Sequence, residues 1–268
     1  MRNSRLPGSA ARTAVAALAA AAVATLLFAS CGGAYSAKKV SRSGDKLAAA
    51  DALFDGKKFG NAAIEYRDFL QTFAGDERCD YAQFRLAESL RMRKEYALAQ
   101  VEYKILQNDY GYSEYVDDAF FMEGVCAFKQ SPRVERDQTK AYEALDRVTR
   151  FLQLFPTSSR VEEGRTVLAQ IQEKLAHKDF LSAELYNRGK HYDAALVYYD
   201  KIIGIYPETI WAARSHYYRA LIRERRGDAT GAGADYRDAA SAAGQFIEKA
   251  EAQKRLKSIE GSAGQPKG

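Results

Sequence analysis

Residues Gly189–Pro207 read GKHYDAALVYYDKIIGIYP. Wound as a helix, this stretch sets Tyr192, Ala195, Tyr199, Ile202 and Tyr206 on one stripe, at steps of three or four. Gly189 is placed to end a preceding helix, because glycine accepts the left-handed backbone of a helix C-cap. Pro207 ends the helix itself, since the residue before a proline is pushed out of helical geometry. Ala195, small and set between two tyrosines, lets a neighbouring helix approach closely.

Outward from this stretch the pattern recurs. Four helices close on an aromatic marker, Phe73, Tyr110, Phe155 and Tyr206, at spacings of 37, 45 and 51 residues. Aromatic, small, aromatic, large apolar and then proline resembles the second helix of a tetratricopeptide repeat, and the spacings predict an array of such repeats with insertions. The first pair is expected at Leu47–Asp55 and Phe59–Phe73, with Phe59, Ala62, Tyr66 and Phe69 as its packing stripe. The second spans Asp80–Lys94 and Tyr96–Tyr110, and the third Tyr115–Gln130 and Thr139–Phe155. A long helix Val161–Arg188 precedes the opening stretch, Ile210–Arg226 turns at Gly227-Asp228 into a fifth pair, and Gln245–Ile259 adds an amphipathic helix. The expected fold is all-α, an α-solenoid of about five hairpins over 45–260 that forms one folding unit, with a loose tail at 261–268. No pair can bury its stripe alone, so stacked neighbours share one continuous core.

Residues 1–30 are set apart from that array. Arg2, Arg5 and Arg12 precede an apolar run, Ala14–Ala29, of 16 residues, short of the about 20 that a spanning helix needs. A basic start, a short apolar centre and small residues before a cut are the marks of a secretory signal. Cys31 follows Leu27-Phe28-Ala29-Ser30 and resembles the acylated cysteine of bacterial lipoprotein signals, although Phe28 stands where that family usually has leucine. An ordinary cleaved signal beside an incidental cysteine is the alternative. Gly32 after the cysteine, by the rules of that family, implies the outer membrane.

Without the three arginines of the signal the formal charge falls from +5 to +2, which leaves no argument for nucleic acid. Residues 31–44 read as a flexible tether whose Lys38, Lys39 and Arg42 are solvated or touch anionic head groups. Cys79 and Cys126 are expected as packed thiols rather than a disulfide.

Ser131–Thr139 (SPRVERDQT) is too polar for core and longer than most turns between packed helices, with Asp137 or Thr139 able to cap the helix that follows. The lipoprotein cysteine, the ordered repeats, this insertion and Phe155–Glu163 (FPTSSRVEE) together resemble the BamD family of outer-membrane assembly lipoproteins, from 31 to about 240. That resemblance implies a subunit of the machinery that folds β-barrels into the outer membrane. Its implied partners are a BamA-like barrel protein, met through POTRA domains at the C-terminal repeats, and unfolded outer-membrane proteins, met at the N-terminal repeats through their C-terminal signal. A lipid anchor implies attachment to the membrane on its periplasmic face.

In tetratricopeptide proteins the first helix of each pair lines the concave face. Aligning the repeats places Asp51, Phe54, Phe84, Glu88, Arg91, Met92, Phe121, Val125, Phe128 and Lys129 there. Of these, Phe54, Phe84, Arg91, Phe121, Val125, Phe128 and Lys129 are the candidate peptide-binding residues: rings beside cations suit a strand that ends in an aromatic residue and a free carboxylate. Each ring either lines that face or packs between helices. Trp211 is either a staple closing the start of its helix or an anchor for the barrel partner, and Arg214 is the candidate polar contact beside it.

His177, His191 and His216 are scattered without metal-ligand spacing, and the chain has no glycine-rich phosphate loop or nucleophile elbow. A non-catalytic protein without cofactor or metal is expected. Two other classes remain, a repeat scaffold for another cell-envelope complex and a glycan-capturing surface lipoprotein. The second is disfavoured because Gly33-Ala34-Tyr35 lacks the acidic residues that often follow the cysteine of exported lipoproteins.

Overall fold

The computed structural model describes residues 42–263. The expected signal, Cys31 and most of the tether lie outside the described residues, as does 264–268. Within them every element is a helix: α1 (42–55), α2 (Phe59–Thr72), α3 (Cys79–Met92), α4 (Tyr96–Asp109), α5 (Val116–Gln130), α6 (Thr139–Leu154), α7 (Val161–Arg188), α8 (Tyr192–Ile205), α9 (Ile210–Arg225), α10 (Ala229–Ser241) and α11 (Lys249–Ala263). The chain divides into two compact units, one reaching to Ser89 and one from Leu90 onward, with the boundary inside α3. In the second unit each helix packs on the next from α4 to α11, and α5 on α7, α7 on α9 and α9 on α11. Next-but-one contacts of this kind are what stacked hairpins require.

Both ends of the array differ from expectation. Residues 42–44, expected in the tether, are already helical: Ser43 is 1% exposed, and its hydroxyl accepts a bond of 2.8 Å from Arg78. Helix α11 begins at Lys249, not Gln245, and continues into the expected tail.

Two turns, each built the same way several times, set the repeat. In four of the five pairs the first helix ends in a Schellman motif, the exception being α5 before the insertion. Lys57 donates to Phe54 O and Lys58 to Leu53 O; Lys94 donates to Arg91 O and Glu95 to Leu90 O; Lys190 donates to Asn187 O and His191 to Tyr186 O. Gly227 and Asp228 repeat the pattern on Glu224 and Arg223. The left-handed residue is therefore Lys57, Lys94, Lys190 or Gly227, with φ of 58°, 64°, 61° and 80°. Gly189, expected in that role, has φ −72°; the left-handed site lies one residue later, on a lysine.

Between pairs, Phe73, Tyr110, Phe155 and Tyr206 each donate to the carbonyl four residues back and accept from the residue three ahead, Asp76, Ser113, Ser158 or Thr209. The side chains of Asp76, Ser113, Ser158 and Thr209 then accept from the backbone of Arg78, Tyr115, Arg160 and Ala212, satisfying free N–H groups around the start of the next helix.

The second helix of each pair buries one stripe in register. Ala62-Tyr66-Phe69, Ala99-Tyr103-Leu106, Ala144-Val148-Phe151, Ala195-Tyr199-Ile202 and Ala232-Tyr236-Ala239 are all fully buried. Burial of each larger apolar side chain in these stripes contributes about 1.5–3 kcal/mol. Cys79 and Cys126 are both buried and form no disulfide.

The register repeats more faithfully than the polar chemistry does. The Tyr66 hydroxyl donates to Asp51 at 2.6 Å and that of Tyr236 to Glu224 at 2.7 Å, whereas that of Tyr199 faces Asn187 outside hydrogen-bond geometry. Burial, ahead of any charge, pushes all three phenols well above their usual range. Tyr66→Phe is expected to cost about 1.5–3 kcal/mol, the usual worth of a bond to a charged group. Tyr199→Phe removes an unsatisfied hydroxyl and is expected to be neutral or stabilising. Urea midpoints of the two variants test this, and a larger loss at Tyr199 would contradict it.

Candidate functional site

Of the candidate peptide-binding residues, Phe54 and Phe84 belong to the first unit and the rest to the second. Phe54 is half-buried, edge-on to Phe59 at 5.2 Å, with the Arg85 guanidinium 3.7 Å above its ring. Arg85 also donates to the Tyr66 hydroxyl and pairs with Asp55, while Asp51 accepts from Tyr66 and Tyr81. This cation–aromatic knot ties α1 to α2 and α3, so one face of Phe54 is already covered from within. Phe84 and Arg91 are half-buried, with an Arg91 amino group 3.6 Å from Met92 Sδ.

In α5 the candidates separate. Phe121, expected as a peptide contact, is instead fully buried core, its ring 5.2 Å from Phe151. Helix α5 is buried over most of its circumference, so no single stripe of it is free. Val125 and Phe128 are half-buried and Lys129 is exposed. Phe128 packs against the core of the second unit, with Lys174 Nζ 5.6 Å from its ring.

The insertion after α5 is tied down at several points. Lys174 donates to Ser131 O at 3.2 Å and Oγ at 2.6 Å, and Lys178 donates to Glu135 O at 2.8 Å. From within, the Gln138 amide donates to the carbonyls of Arg133 and Arg136, and Asp137 Oδ1 accepts from Thr139 N at 2.9 Å; the Thr139 side chain and then this backbone bond hold its carboxyl below the usual range. Pro132, Arg133, Glu135 and Arg136 line an open pocket of about 620 Å³.

Trp211 and Arg214, the candidate partner contacts, are both engaged internally. The Trp211 indole lies parallel to His177 at 3.9 Å and 5.1 Å from Phe180, and the Arg214 guanidinium rests over both Trp211 and Phe180. Arg214 grips Glu248 with both ends of its fork, at 2.6–3.1 Å. The Tyr218 hydroxyl also donates to Glu248 at 3.0 Å; burial, then that carboxylate, pushes the phenol up to about 12. Desolvation lowers the pKa of His177, which disfavours its charged form. Arg214 is thus a fastener between α9 and the loop before α11, not a free surface cation.

A second cluster had no counterpart in the sequence reading. Asp235, 1% exposed, accepts from Arg219 and His216 and forms an ion pair with Arg223, and Arg219 reaches on to Asp200. Burial would push the Asp235 carboxyl up, but the bonds from His216 and Arg219 and the charges of Arg219 and Arg223 hold it below its usual range. His216, Asp235 and Asp238 have the right atoms close enough for a metal, yet two guanidinium groups already neutralise Asp235. The cluster is therefore a salt-bridge knot between α9 and α10. Residues 200, 219 and 235 are not related by any helical period, so no sequence signal marks it.

No curated protein matches the chain. Among solved structures it is similar to the TPR2AB domain of yeast Sti1 in a pHSP90 complex, at 17% identity over 83% of this chain and 84% of that one, with TM-score 0.44. It is similar to the TPR domain of P58(IPK) at 17% identity, over 83% of this chain and 56% of that one, with TM-score 0.40. It is also similar to MamA at 19% identity, over 77% and 96%, with TM-score 0.32. The YfiO family, described as outer membrane lipoprotein, matches residues 47–235, well over half of the chain. The chain belongs to that family of outer membrane lipoproteins.

Proposed function

We propose that this protein is the lipid-anchored helical-repeat subunit of an outer-membrane β-barrel assembly machine. It would hold a barrel protein through POTRA domains and receive the C-terminal signals of unfolded barrel substrates. The observation that carries the reading is the family match over 47–235. The cysteine at 31 after a short apolar run supports the anchor, since each buried methylene of an acyl chain contributes about 0.8 kcal/mol and two or more chains hold firmly. For substrate reception the half-buried Val125 and Phe128 with exposed Lys129 are the residues of α5 that remain on offer.

The test is capture of the tagged full chain from membranes in mild detergent, with its companions identified by mass spectrometry. Co-purification of a barrel protein with POTRA domains is expected, and Cys31→Ser should shift the protein out of the outer-membrane fraction. Recovery of a different envelope complex in its place would make the chain a scaffold of that complex. Cleaved Cys31→Ser protein that stays in the outer membrane would remove the lipid anchor from the reading.

A further inference from the structure

We infer that the insertion at 131–138 is a carboxylate receptor, in which Arg133 and Arg136 take the chain end of a protein substrate whose last apolar side chain rests on Pro132. This rests on the substrate-receiving role proposed above and gives it a chemical address.

The first support is how the loop is held. Lys174 and Lys178 of α7 spend their ammonium groups on loop oxygens at Ser131 and Glu135, and Gln138 takes up the carbonyls of Arg133 and Arg136. The backbone is thus fixed from beneath without using either arginine side chain. Fixed geometry is what a charge-recognising loop needs, because little ordering is left for the moment of binding.

The second support is what those arginines lack. Elsewhere in the same unit arginines find carboxylates: Arg160 with Asp118, Arg214 with Glu248, Arg226 with Asp193, Arg255 with Glu224. Arg133 and Arg136 are exposed, line the open pocket, and have no ion pair among the described residues. The two acids nearby do not cancel them: Asp137 is turned to the backbone of Thr139, and Glu135 is one charge in a pocket that also holds two guanidinium groups, with Lys178 at its backbone.

The third support is shape. A guanidinium fork matches a carboxylate with two parallel bonds. The pocket is an open recess of about 620 Å³ in which Pro132 supplies the apolar part of the lining. A recess of that size admits a peptide end, whereas a bilayer presents its head groups as a flat sheet.

The experiment uses the purified full chain and a fluorescent ten-residue peptide of alternating apolar and polar residues ending in phenylalanine, as free acid and as amide. The acid is expected to bind at least about tenfold more tightly than the amide. The double variant Arg133→Gln/Arg136→Gln should bring the acid down to the level of the amide, leave amide binding unchanged and keep the melting temperature. Equal binding of acid and amide to the unaltered chain would overturn the receptor, as would a double variant that still prefers the acid. A double variant that loses only its binding to phosphatidylglycerol vesicles would overturn it in favour of a membrane contact. Failure of the unaltered chain to bind either peptide would instead overturn the substrate-receiving role on which the inference rests.

Discussion

Gly124→Leu is expected to unseat α5 from α6 and cost at least about 3 kcal/mol, at or beyond the upper end of ordinary overpacking. A Cβ at Gly124 would stand 2.7 Å from Val148 Cγ2, 3.2 Å from Arg147 Cβ and 3.3 Å from the Val148 backbone nitrogen. The methyl can rotate, but the backbone nitrogen and the Arg147 Cβ belong to the path of α6 and move only with it. Helix propensity pulls the other way, favouring alanine over glycine by about 1 kcal/mol in a helix interior. Gly124→Ala therefore sets a clash against a propensity gain, and a net loss there is already the signature of the close approach. Leucine has a similar propensity gain and three more carbons to house. Melting curves of the two variants decide it: Gly124→Leu within a degree of the unaltered protein would mean that α5 and α6 do not meet here.

Asp235→Ala is expected to cost about 3–5 kcal/mol, the usual result of leaving buried charge without its partner. Arg219 loses three contacts with that carboxylate, at 2.5–3.1 Å, and Arg223 loses its ion pair at 2.9 Å. At about 2–4 °C per kcal/mol for a chain of this size, the melting temperature should fall by roughly 6–20 °C. Because stacked pairs lean chiefly on their neighbours, the loss should be local, with faster hydrogen exchange in α9–α11 and little change in α4–α6. The carboxyl is held below its normal pKa, so its contribution is fully present above about pH 4, where the unfolded chain is ionised, and fades as the pH falls through the lower folded value. An Asp235→Ala protein that melts and exchanges like the parent would show the knot to be inert.

The helices and their stripes were legible because a 3.6-residue period writes itself into local sequence: Val161–Arg188 was read to the residue, and most other helix ends to within one or two. What was lost is of two kinds. One is local placement, as at Phe121, where the repeat alignment lands on a helix buried nearly all round, and at Gly189, where the left-handed turn falls one residue later on Lys190. The other is pairing across sequence. Glu248 meets Arg214 34 residues away, and Asp51 meets Tyr81 at 30. Each of these residues reads locally as an ordinary surface charge or ring. Only the three-dimensional register turns Arg214 from a surface contact into a fastener.

The left-handed lysines have a further meaning for proteolysis. Trypsin cuts after lysine, yet a protease needs extended backbone, and at Lys57, Lys94 and Lys190 the chain is wrapped into bonds from two successive N–H groups back to the helix it leaves. Cleavage at each therefore waits for the flanking helices to part, and its rate reports the population of that opening rather than the accessibility of the lysine. One such site lies before Ser89 and two after Leu90, so digestion reads the two units separately without any added label.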